Sequence, residues 1–75
     1  MKAQMPSMKP AEVIRILERN SFRLLRSTKH RTYTEDASPP HLIRVPIHNR
    51  DLKPGTLRSI VRQAGWTPDE FLQKR

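Results

Sequence analysis

The stretch SFRLLRSTKHRTYT, residues 21–34, decides the fold. Its first half alternates, with Phe22 and Leu24 to one side and Arg23 and Leu25 to the other, the period-two pattern of a strand. The second half, KHRTYT, predicts another strand, with His30, Thr32 and Thr34 on one face and Arg31 and Tyr33 on the opposite one. A lone histidine, His30, stands between Lys29 and Arg31. Four roles suit such a residue: plain surface, core, metal ligand, or an acid/base group aimed at an anion.

The pattern changes on both sides of this stretch. Upstream, KPAEVIRILERN predicts a helix over 10–19, with Pro10 in the first turn, where a missing N–H costs nothing. Val13, Ile14 and Leu17 form its apolar stripe, Arg15 and Arg19 share a different face, and Asn20 is placed to stop it in a left-handed conformation. Downstream, EDASPP is a loop and HLIRVPI a third strand, with Ile43, Val45 and Ile47 on one side. Pro46 removes a ladder donor, which makes this an edge strand or its end. The segment 48–65 carries a second helix. Leu57, Ile60, Val61 and Ala64 give it one apolar face, and Gly65 is placed just past its end. Thr67, Pro68 and Glu70 form a capping-box start for a short third helix, with Phe71 and Leu72 turned inward. Trp66, at the helix junction, reads as a structural plug.

The expected class is therefore α+β: a three-stranded antiparallel sheet with helices on one face, a short extra C-terminal helix, and the other face open. Residues 1–8 are expected to be a flexible arm and residues 9–75 a single domain. The start, MKAQMPSMKP, has no apolar region of the kind a secretory signal needs.

Fifteen Lys and Arg face seven Asp and Glu, a formal net charge of +8 on 75 residues. Such an excess points to a polyanionic partner: nucleic acid, an anionic membrane surface or an acidic protein. Most of the cations are arginine, which contacts phosphate bidentately. There are no cysteines, which excludes disulfides and thiolate metal sites and fits a reducing compartment. No apolar run approaches the roughly 20 residues a membrane-spanning helix needs. The carboxylates are scattered, and His30, His41 and His48 lie on three segments at no metal-ligand spacing. On the residues alone, His30 reads most simply as an exposed strand residue and His41 as surface. Tyr33 suits core packing or base stacking equally well.

The segment VPIHNRDLKPGTLRSIVRQAG, residues 45–65, closely resembles the C-terminal signature of the HicA-type (YcfA-like) mRNA interferase toxins. That pattern is V-P-x-H followed by D-L-x-x-G-T-L-R-S-I-L-x-Q-A-G. The resemblance covers residues 8 to 66 and includes VIRILERNSF and the TKH at 28–30, which fits the family's strand-borne histidine. Two positions depart from it. Ser21 follows the helix-ending Asn20 where the family usually has glycine, and STKH lacks the glycine that commonly precedes the histidine.

The resemblance implies a fold like the double-stranded-RNA-binding domain, α-β-β-β-α, and a toxin of a type II toxin–antitoxin system acting in the prokaryotic cytoplasm. It implies an endoribonuclease that cleaves mRNA without cofactor or metal, is inhibited by a HicB-type antitoxin, and uses His30 as its catalytic acid/base. Histidine suits this work because it exchanges a proton near neutral pH. Arg26, Lys29 and Arg31 flank it and are the first candidates for RNA phosphate contact. Arg58 follows Gly55 and Thr56, where free helix N–H groups favour an anion. His48 either contacts phosphate or caps its loop. A catalytically silent RNA-binding module of the same fold is the main rival, and a basic adaptor for an acidic protein is another.

Overall fold

The computed structural model describes residues 5–75. Its elements are α1 (Pro10–Arg19), β1 (Arg23–Ser27), β2 (His30–Thr34), β3 (Leu42–Pro46), α2 (Pro54–Gln63) and α3 (Pro68–Gln73). The strands form one antiparallel sheet in the order β1-β2-β3. The architecture is the expected α+β one, with helices on one face of an otherwise open sheet.

The core lies between the sheet and the helices. From β2 and β3, Tyr33, Ile43 and Val45 are buried, and their register pairs Arg31 with Val45 and Tyr33 with Ile43 on the covered side. Tyr33 is thus core and is unavailable for base stacking. Helix α1 contributes Val13, Ile14, Ile16 and Leu17, while α2 contributes Leu57, Ile60 and Val61, with Ala64 just past its end. Phe71 of α3 is fully buried, whereas Leu72 is only half-buried. The α3 cap forms as predicted: Glu70 N donates to Thr67 Oγ1 at 3.2 Å and Thr67 N to Glu70 Oε1 at 2.8 Å.

Four details differ from the sequence pattern. Strand β1 is exposed at every residue, and the register shifts between Leu24 and Arg26, so Leu25 sits in a bulge that breaks the alternation. Phe22 is buried just before the strand, but Leu24 and Leu25 stay about half exposed. The helices pack on β3, which leaves β1 as an uncovered edge. Ile47 does not follow Ile43 and Val45 inward, because β3 ends at Pro46 and Ile47 lies exposed beyond it. The left-handed residue after α1 is Ser21, at φ 73°, rather than Asn20, at φ −110°. Asn20 instead donates its side-chain amide to Ile16 O at 2.7 Å.

The fourth detail concerns the N-terminal arm. Met8 is buried in the core, and its carbonyl accepts from Leu52 N at 2.7 Å. Met5 packs against the same core. The part of the expected arm that covers residues 1–4 lies outside the described residues.

The two sheet edges are treated differently. On β3 the backbone N–H of Arg44 donates to Gln63 Oε1 at 3.0 Å, and Pro46 has no N–H to offer, so this edge is sealed. The β1 edge has no strand partner among the described residues.

Candidate nucleic-acid interface

His30 opens β2, the central strand, directly after a tight turn. The turn is closed by Thr28 N donating to His30 O at 2.9 Å, and Lys29 stands exposed at its tip. The side chain of His30 is half-buried. Among the described residues no protein group hydrogen-bonds its ring. The strand register then decides what surrounds it. His30 and Thr32 lie on the open face, opposite Pro46 and Arg44 on β3, and Thr32 lies opposite Arg26 on β1. His30, Thr32, Arg26 and Arg44, with Thr28, Leu25 and Leu42, line a cleft of about 320 Å³.

The cleft is cationic with an apolar rim. Arg26 and Arg44 enter it from the two outer strands, and neither forms an ion pair with a carboxylate among the described residues. The one arginine of the sheet that does is Arg23, bound to Asp36. Two free guanidinium groups beside an unpaired imidazole present donors to an anionic chain. The half-exposed Leu25 and Leu42 add apolar contact at the margin.

The predicted site residues separate into groups. His30 and Arg26 share the cleft, and Lys29 stands exposed on the turn beside His30, outside its lining. Arg31 is adjacent in sequence but sits on the helix side of the sheet, where its cross-strand partner Val45 is buried. Arg58 is on the solvent face of α2, outside the cleft. His48 lines a second cleft with Arg50 and Lys53, and its Nδ1 accepts the Arg50 backbone N–H at 3.2 Å. Arg44 is the residue the sequence pattern missed. The signal was present, since Ile43 and Val45 facing inward oblige Arg44 to face outward.

His41 lies away from both clefts. Its Nδ1 and backbone N contact Glu35 Oε1, each at 2.6 Å, and its ring packs over Gly65. No cluster of three or more metal-ligating side chains occurs among the described residues.

The chain matches the family model described as the HicA toxin of bacterial toxin–antitoxin over residues 10–66, which spans the whole sheet and both long helices. It belongs to the HicA toxin family. It is accordingly a toxin of a toxin–antitoxin system, and membership implies a cognate antitoxin as partner. A search of the curated proteins gives no match. No described helix is long and apolar enough to cross a membrane.

Proposed function

We propose that this toxin is an endoribonuclease that cuts mRNA in the bacterial cytoplasm, with His30 as its acid/base, and that its antitoxin is of the HicB type and blocks this activity. The carrying observation is the placement of an unpaired histidine on the open sheet face between two unpaired arginines. Single-stranded RNA supplies its own nucleophile. His30 takes the 2′-hydroxyl proton as the 2′ oxygen attacks phosphorus, and returns a proton to the 5′ oxygen as the P–O5′ bond breaks. Arg26 and Arg44, with Lys29 at the turn, face the charge that builds on the phosphoryl oxygens. Thr28 and Thr32 offer hydroxyls along the same wall. A single histidine used this way contributes about 10²–10⁴-fold.

The test is RNA cleavage in EDTA by the parent and by His30→Ala, both shown folded by circular dichroism. Cleavage by the parent, with a loss of about 10²–10⁴-fold in the variant, is the expected result. Equal cleavage by the two proteins removes His30 from the mechanism. Binding without cleavage by either makes the chain a silent RNA-binding module.

A further inference from the structure

We propose that the second cleft is a phosphate subsite for the RNA strand, with Arg50 and Lys53 as its contacts, one step beyond the bond held at His30. This rests on the RNA reading of the first cleft and extends it to residues outside that cleft. The two clefts meet at a single cross-strand pair. Pro46 is the β3 partner of His30 and also a wall of the second cleft, which holds about 340 Å³. Directly paired antiparallel residues lie roughly 5 Å apart. An extended strand leaving His30 across Pro46 therefore enters the second cleft without lifting from the surface.

The lining is suited to a phosphodiester. Arg50 and Lys53 both border the cleft, and neither is paired with a carboxylate among the described residues. The one acidic group in the lining, Asp51, is outnumbered by them. Because His48 Nδ1 accepts the Arg50 N–H, the neutral ring carries its proton on Nε2, which makes that nitrogen a donor. Thr56 completes the wall from the first turn of α2. That turn contains no acidic residue and its N-cap, Lys53, supplies no side-chain acceptor, whereas α1 carries Glu12 and α3 carries Asp69 and Glu70. Its positive end is thus added to the cations already there.

The experiment uses the full chain and a labelled 2′-O-methyl RNA oligonucleotide, which binds but lacks the free 2′-hydroxyl needed for cleavage. Affinity is measured over a salt series for the parent, for Arg50→Ser with Lys53→Ser, and for Arg15→Ser with Arg19→Ser. The last pair removes the same charge from the exposed face of α1. The subsite variant is expected to lower the magnitude of the log K against log salt slope by about 1.4, two contacts at about 0.7 each. The α1 variant changes it much less. Trimming the oligonucleotide from one end is expected to abolish the difference between parent and subsite variant, and trimming from the other end to preserve it. Equal slope changes in both variants, or no dependence on which end is trimmed, overturn the subsite while leaving RNA binding intact. A parent that shows no salt-dependent RNA binding overturns both readings together.

Discussion

Helices α1 and α2 end in the same backbone turn built from different residues. After α1, Ser21 N donates to Glu18 O at 3.4 Å and Phe22 N to Leu17 O at 3.0 Å. After α2, Gly65 N donates to Arg62 O at 2.9 Å and Trp66 N to Val61 O at 3.1 Å. Each pair is a Schellman motif, with one left-handed residue followed by an apolar one that folds back on the helix. The left-handed positions have φ 73° at Ser21 and 81° at Gly65. The two aromatic residues next in the chain then meet, with the rings of Phe22 and Trp66 5.6 Å apart and nearly perpendicular at 89°. The two turns thus converge on one contact, which ties the start of the sheet to the start of α3. A glycine meets the demand at one end, and a serine tolerates it at the other.

The most damaging break is at the contact itself. Phe22 is buried, and Phe22→Ala removes both its core packing and its edge-to-face partner. Truncations of this kind cost about 3–5 kcal/mol. A domain of this size commonly has only about 3–5 kcal/mol to lose. The variant is expected to be largely unfolded at 37 °C by circular dichroism. A melting temperature within a few degrees of the parent's would show that the aromatic contact is not what secures the turns.

Exchanging the left-handed residues sharpens the comparison. At Gly65 a Cβ would lie 2.7 Å from His41 Nε2, so Gly65→Ala meets both the backbone strain of φ 81° and a ring that must move. The strain alone costs about 1–2 kcal/mol. Ser21→Gly runs the other way. It relieves the strain at φ 73° and gives back part of the gain through a more flexible unfolded chain. A net stabilisation of about 1 kcal/mol raises the melting temperature of a small domain by about 4–8 °C. Thermal melts of the two variants should therefore shift in opposite directions. A drop for Ser21→Gly would mean that the serine side chain contributes more than its backbone conformation costs.

The contrast also shows what a sequence makes legible. Gly65 announces its turn, because glycine past an apolar helical stripe has few other uses. Ser21 does not, and the polar Asn20 suggests the turn one residue early. Helix faces are legible because Leu57, Ile60, Val61 and Ala64 recur at the helical period. Strand β1 is only partly so. Its alternation sets Leu24 and Leu25 on opposite sides, but a leucine in an edge bulge that no helix covers has the same letter as a buried one. At the site, the strand period alone places His30 and Arg31 on opposite faces of the sheet. Sequence adjacency nevertheless keeps Arg31 among the candidates, although Arg44 is the arginine that shares the histidine's face. The second cleft is built from the single segment 46–56, but its place beside the first depends on the His30–Pro46 pair, a register that local patterning does not encode.

The smallest effect lies just past the second turn. Trp66 leads straight into Thr67, whose capping box with Glu70 starts the six-residue α3 and so sets where Phe71 enters the core. The Thr67 backbone N–H, first, and then the Thr67 hydroxyl hold the Glu70 carboxylic acid below the ordinary carboxylate value of 4.5, against a small opposing effect of burial. The folded value is depressed, so the contribution of Glu70 is complete above that value and disappears as pH falls through the folded one. Glu70→Gln keeps the size of the side chain and removes the titration. Its melting temperature should lie slightly below the parent's at neutral pH. The gap should close as pH drops below 4.5, because the protonated parent no longer holds the charged acceptor. A gap that stays constant through that range would assign the box to shape and hydrogen bonding alone. In that case α3 would be anchored independently of charge, and acid would weaken the Phe22–Trp66 junction only through groups elsewhere in the fold.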